Sequence, residues 1–166
     1  MNHDGTIKIA TAESITGGRI QAHYTAISGC SNFFLGGICA YSLESKVSIL
    51  KVDRDLAERT NCVDTEVAKQ MAIGCREIFG SDVAIATTGY ESDYEHNGVM
   101  HSAIAHLAVA FDDEIVTRTI APVGKTREER LESVKQSALD FVLDASRTNL
   151  NAKGLVSTAK RLLSSD

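Results

Sequence analysis

The stretch Ile7-Lys8-Ile9-Ala10-Thr11-Ala12-Glu13-Ser14-Ile15-Thr16-Gly17-Gly18 decides how this chain folds. Its β-branched opening, Ile7 to Thr11, reads as a strand, and a helical pattern follows over Thr16 to Ile27. Between the two stand a carboxylate, hydroxyls and two glycines. A helix start of this kind offers unpaired backbone N–H groups and the positive end of the helix dipole, both attractive to anions. It would lie at the carboxyl end of a strand, where open α/β sheets place their ligands. The same residues also suit an ordinary capped helix, with Ser14 or Thr16 accepting from backbone amides.

Outward from this stretch, strand-like and helix-like segments alternate. Phe33 to Tyr41 reads as a buried strand whose Gly36 and Gly37 allow close backbone approach, and Glu44 to Leu50 as a short helix. Asp53 can cap the next turn. Asp64-Thr65-Glu66 opens a longer helix to about Phe79, stopped by Gly80. Val83 to Thr87 is a second buried strand, ending in Thr88-Gly89. A polar segment, Tyr90 to His101, precedes strands Ala103 to Phe111 and Ile115 to Val123, joined hairpin-fashion around Asp112-Asp113. Thr126, with Glu129 completing a capping box, starts a long helix to about Ala145. This order predicts an α/β fold, a three-layer α/β/α sandwich around a mixed sheet of about five strands. Residues 1–150 are expected to form the domain, and the 151–166 tail reads as a further amphipathic helix of it or as a fraying end.

Composition narrows the function classes. The chain has 166 residues, 43% of them hydrophobic and 23% charged, which suits one globular domain. A net charge of -5 without a Lys/Arg run argues against nucleic acid as a partner. The polar opening MNHDGTIK and the lack of a long apolar run argue against a signal peptide or membrane span, so a cytoplasmic protein is expected. Cys30, Cys39, Cys62 and Cys75 have no metal-ligand spacing and read as reduced, mostly buried thiols.

Three groups of residues can carry chemistry. The first is Glu13, Ser14, Thr16, Gly17 and Gly18, where the carboxylate suits sugar hydroxyls or an amide NH₂. The second is Ser31, Tyr41 and Lys46. A buried lysine loses its proton more readily and can serve as base to a serine nucleophile, with a tyrosine relaying the proton or steadying an oxyanion. Spacing alone equally allows a turn serine, a strand aromatic and a solvated lysine. The third is His96 and His101 with Glu91, Asp93 and Glu95, whose spacing fits no metal pattern and reads as a solvated loop. His106, in an apolar strand, reads as a satisfied core histidine, and Thr126 to Arg130 as a solvated helix start.

Taken together, TAESITGG, GCSNFFLGGICAYSLESK, the helix opening Val63-Asp64-Thr65-Glu66-Val67-Ala68 and Ala84-Ile85-Ala86-Thr87-Thr88-Gly89 resemble the C-terminal domain of the CinA (competence/damage-inducible) family, over about residues 6 to 145. The resemblance implies an α/β/α domain that works without metal or cofactor, is likewise homo-oligomeric, and hydrolyses nicotinamide mononucleotide to nicotinic acid mononucleotide and ammonia. It assigns Ser31 as nucleophile, Lys46 as base and Tyr41 as its assistant. Glu13, Ser14, Thr16, Gly17, Gly18, Gly36, Gly37, Thr88 and Gly89 would then bind the nucleotide or a related amide. Two departures stand out: Cys30 replaces the first serine of the family's glycine-serine-serine motif, and Tyr90 to Gly98 replaces a glycine-rich loop. The carboxylates of that segment would repel a phosphate if they faced the pocket. Two alternatives follow: a paralogue that has lost the activity and serves as a ligand-binding or interaction module, and a hydrolase for a cationic or uncharged substrate.

Overall fold

A computed structural model describes residues 6–112 and 114–148; the expected 151–166 helix and Asp113 lie outside the described residues. Five strands, β1 (Ile9–Glu13), β2 (Phe34–Cys39), β3 (Val83–Tyr90), β6 (Ile104–Ala110) and β7 (Ile115–Ile120), form one sheet in the order β2-β1-β3-β6-β7. β1 runs parallel to β2 and β3, whereas β6 is antiparallel to both β3 and β7. The sheet is therefore mixed and five-stranded, as the sequence predicts.

Side-chain alternation explains the three layers, because successive strand residues face opposite sides. Ile9, Val83, Ile85, Leu107 and Val109 share one face, packed with Ile20 and Tyr24 of α1 (Arg19–Thr25) and Leu131, Val134 and Phe141 of α5 (Arg127–Thr148). Between them Ala10, Ala12, Ala84, Ala86, Ala108 and Ala110 point to the other face. Their small side chains let α4 (Thr65–Phe79) settle on the sheet through Val67 and Met71, with Leu50 of α2 (Leu43–Leu50) and Leu56 of α3 (Arg54–Arg59) packed beside it.

Caps end the elements where the sequence places them. Asp53 Oδ1 accepts from Leu56 N at 2.7 Å, Asp64 Oδ1 from Glu66 N at 2.7 Å, and Gly80 closes α4 in the left-handed region. Thr126 and Glu129 exchange their capping-box bonds at 3.2 and 3.0 Å.

Several boundaries differ from expectation. β1 continues to Glu13, because pairing with β2 and β3 on both sides holds Thr11 to Glu13 extended. α1 begins only at Arg19, since Gly17 and Gly18 take φ of 57° and 95°, outside the helical range. The Tyr90 to His101 segment, expected as a polar loop, contains the hairpin β4 (Tyr94–His96) and β5 (Val99–His101). Asn97-Gly98 turns it, both residues at positive φ, a dipeptide signal that alternation alone overlooked. Cys62 and Cys75 are buried, but Cys30 is half-buried and Cys39 exposed; all are free thiols. Among the described residues no helix is long and apolar enough to cross a membrane.

α2 and α4 meet at Gly74, where an added Cβ would come within 2.1 Å of the Leu50 carbonyl oxygen. Gly74→Ala is expected to destabilise the fold by about 1–3 kcal/mol, because the obstacle is backbone rather than a movable side chain. Urea denaturation of the variant against wild type checks this.

Candidate active site

β1 and β2 are parallel neighbours, so their carboxyl ends reach the same edge of the sheet. Ser14 follows β1 and donates its backbone N–H to the Thr87 carbonyl of β3 at 3.0 Å. After β2 the chain turns through Ala40 and Tyr41, Ser42 caps α2, and Lys46 lies one turn into that helix. Its side chain folds back over the strand end. Lys46 Nζ lies 2.9 Å from Ser14 Oγ and donates to the carbonyls of Ala40 at 2.8 Å and Tyr41 at 3.0 Å. Lys46 is only 1% exposed. Burial pushes its pKa below the ordinary lysine value, against an opposing influence from Cys62.

The serine bonded to Lys46 is thus Ser14 and not Ser31. Ser31 lies in a 3-10 turn, Cys30–Asn32, just before β2, whereas Lys46 comes after it. A six-residue strand puts roughly 17–20 Å between those ends. The resemblance assigns Ser31 as nucleophile, but in this structure the intervening strand separates it from the lysine.

Glu13 also departs from its expected role. Its carboxylate is completely buried and accepts from Gly18 N at 3.0 Å, Ile20 N at 3.1 Å and Gln21 N at 2.8 Å. The start of α1 therefore carries its anion within the chain instead of offering a site to a phosphate. Thr16 shares a 2.8 Å hydrogen bond with Thr87, and Gly17 and Gly18 form the turn that returns α1 to Glu13. Gly36 and Gly37 are packing positions in β2, where Cβ atoms would strike the Phe79 ring and Thr11 Oγ1.

A cavity of 170 Å³ opens beside the Ser14–Lys46 pair, lined also by Tyr41, Cys62, Thr88 and Gly89. Asn61 and Cys62 both take left-handed conformations, φ 51° and 60°, which brings the Cys62 carbonyl to Thr88 Oγ1 at 2.7 Å. Tyr90, Glu91 and Arg127 complete the wall. Asn61 Nδ2 donates to the Tyr90 hydroxyl at 2.9 Å, and Arg127 pairs with Glu91 at 2.5 Å. Thr126 to Arg130 is expected as a solvated helix start, and nothing local to it reveals the carboxylate that Arg127 meets across the fold.

The replaced segment is less hostile to anions than its composition suggests. Glu91, the only one of its carboxylates lining the cavity, is matched by Arg127, and Asp93 accepts from Ala103 N at 2.9 Å. His106 is a hydrogen-bonded core histidine, its Nδ1 within 3.1 Å of Thr65 Oγ1 and 3.0 Å of Thr119 Oγ1. Burial lowers its pKa against the opposing charge of Asp64. Among the described residues no three His, Cys, Asp or Glu side chains converge to hold a metal ion.

Residues 2–157 match the CinA C-terminal domain family. The chain belongs to that family. A CinA-like protein from Flavobacterium psychrophilum is 31% identical over 136 residues, covering 82% of this chain and 32% of that protein. Another, from Chloroherpeton thalassium, is 34% identical over 139 residues, covering 82% and 33%. This CinA-family chain thus spans about a third of the length of the curated relatives it matches. The crystal structure of a competence or damage-inducible protein from Enterobacter asburiae has a TM-score of 0.78 at 27% identity, over 86% of this chain and 89% of that one.

Glu13→Gln tests the internal anion. One Glu13 oxygen accepts two N–H groups and the other a third, so an amide NH₂ must face a donor. The variant is expected to lose about 1–3 kcal/mol of stability, read from its unfolding midpoint.

Proposed function

We infer that the protein is a serine amidohydrolase in which Ser14 is the nucleophile and Lys46 its base, acting on the carboxamide of nicotinamide mononucleotide or a close relative. The observation that carries this reading is the hydrogen-bond pattern of Lys46. A neutral amine has two N–H donors and one lone pair. In the structure Nζ donates to Ser14 Oγ and to the Ala40 and Tyr41 carbonyls; once the amine is neutral, its two N–H groups serve the carbonyls and its lone pair accepts from the Ser14 hydroxyl. Burial, with no carboxylate bonded to Nζ among the described residues, favours that neutral form.

The reaction then balances as two acyl transfers. Ser14 Oγ attacks the carboxamide carbon while its proton passes to Lys46 Nζ, giving a tetrahedral oxyanion. Backbone N–H groups of the Ile15–Thr16 turn are our assignment for its donors, and the Tyr41 hydroxyl a further candidate. Collapse of the oxyanion breaks the C–N bond, and the Lys46 ammonium returns its proton to the leaving NH₂ as ammonia. Water, deprotonated by Lys46, attacks the acyl-serine ester; the proton goes back to Ser14 Oγ and the carboxylic acid departs. The substrate assignment rests on family membership, and the chemistry on the Ser–Lys geometry. A second reading, a ligand-binding paralogue without turnover, draws on the replaced Tyr90 to Gly98 segment, whose Glu91 pairs with Arg127 in the cavity wall.

Ammonia release from nicotinamide mononucleotide tests this directly. Wild type is expected to turn over, with Ser14→Ala and Lys46→Ala each reduced roughly a thousandfold or more. Ser31→Ala should stay within about twofold of wild type, as expected for a residue at the other end of β2. No turnover by wild type, with binding retained, would favour the second reading. The pH profile adds an independent check. Lowering the pH protonates Lys46 and removes the base, so kcat/KM should fall on the acid side with a midpoint below 10.5, the ordinary lysine value. A midpoint at or above that value would exclude Lys46 as the base.

A further inference from the structure

The cavity at Ser14 is smaller than the roughly 300–1,000 Å³ of ordinary ligand pockets. Its 170 Å³ suits a carboxamide and its ring better than a whole nucleotide. A second cavity, of 410 Å³, adjoins it, and Val63 lines both. Between them stands a ladder of rings: Tyr90 lies 4.1 Å from Tyr94, which lies 5.0 Å from His101, in near-parallel stacks. Tyr90 faces the first cavity, while Tyr94 and His101 face the second.

The second cavity combines an apolar wall, from Val63, Ala103 and Ile104, with several side-chain donors. Arg59, at the end of α3, lines it, and its side chain has no hydrogen bond or ion pair among the described residues. His106 also lines it, and both of that ring's hydrogen bonds are made by Nδ1. In the tautomer whose Nδ1 accepts from a threonine hydroxyl, the neutral ring carries its proton on Nε2. His101 offers a further ring nitrogen. Of the neighbouring carboxylates, Asp64 caps α4 and Asp93 holds Ala103 N. Arg127, at the first cavity, is already committed to Glu91.

We propose that this second cavity is the phosphate subsite of the substrate whose carboxamide reaches Ser14. Arg59 supplies the charge, His106 and His101 supply ring N–H donors, and the Tyr90–Tyr94–His101 ladder sets the distance between the two ends of the ligand. The proposal rests on the amidase reading for its substrate. It gives the Tyr90 to Gly98 segment a use: the hairpin replaces backbone contact through glycines with side-chain recognition from β4 and β5.

The test compares kcat/KM for nicotinamide mononucleotide and for nicotinamide riboside, its dephosphorylated counterpart. Wild type should prefer the phosphorylated substrate by tenfold or more, and Arg59→Gln should lower that ratio by about tenfold or more, chiefly through KM. His101→Asn, on the exposed hairpin, should lower it in the same direction. Arg54→Gln, earlier on the same helix, should leave the ratio unchanged. A wild-type ratio near one, or a ratio that survives Arg59→Gln in a variant with an unaltered melting curve, overturns the subsite. Calorimetric titration of nicotinamide mononucleotide separates this failure from that of the amidase reading. Binding weakened tenfold by Arg59→Gln, without ammonia release from wild type, upholds the subsite and removes only the amidase. Absence of binding to wild type overturns the subsite.

Discussion

The arrangement of the candidate site depends on one buried carboxylate. Glu13 ends β1 between two parallel neighbours, on the face that carries α1, and its oxygens accept three backbone N–H groups from the start of that helix. A buried carboxylate is costly unless hydrogen-bonded, and a helix start is costly unless its donors are met. Each satisfies the other. The link fixes where β1 stops and α1 begins, and Ser14, the next residue, is held at the strand end by its own bond to Thr87.

A second constraint is the parallel pairing of β1 and β2. It delivers the chain after β2 to the same sheet edge as Ser14, so that Lys46 needs only the first turn of α2 to reach the hydroxyl. Burial then has two consequences: it disfavours the ammonium and removes solvent that would compete for the Ala40 and Tyr41 carbonyls. The alanine face of the sheet contributes at a distance. By admitting α4 closely it leaves the Asn61-Cys62 turn against Thr88, completing one wall of the cavity.

Much of this was legible along the chain. Strands that alternate large and small residues, Asp53, Asp64 and Thr126 as caps, and glycines at helix ends are local signals, and they place the elements within a few residues. Lys46 and Tyr41 were recognisable as candidates because they follow a strand end. The sequence places Ser14 in a wall of the pocket, and the resemblance assigns Ser31 as nucleophile; spacing along the chain does not say which end of β2 a serine occupies. Asn97-Gly98 marked a hairpin that the polarity of its neighbours obscured.

The sequence by itself determined the family, the order of the helices and of the five strands of the main sheet, and the residue types available for catalysis, because periodicity, capping and turn chemistry act over a few residues. Only the tertiary structure decided which groups meet. Ser14 and Lys46 are 32 positions apart, and Glu91 and Arg127 are 36 apart. Parallel pairing and layer packing bring these distant pairs together. The same three-dimensional closure turned Glu13 inward, so the helix start that looked open to an outside anion is filled from within.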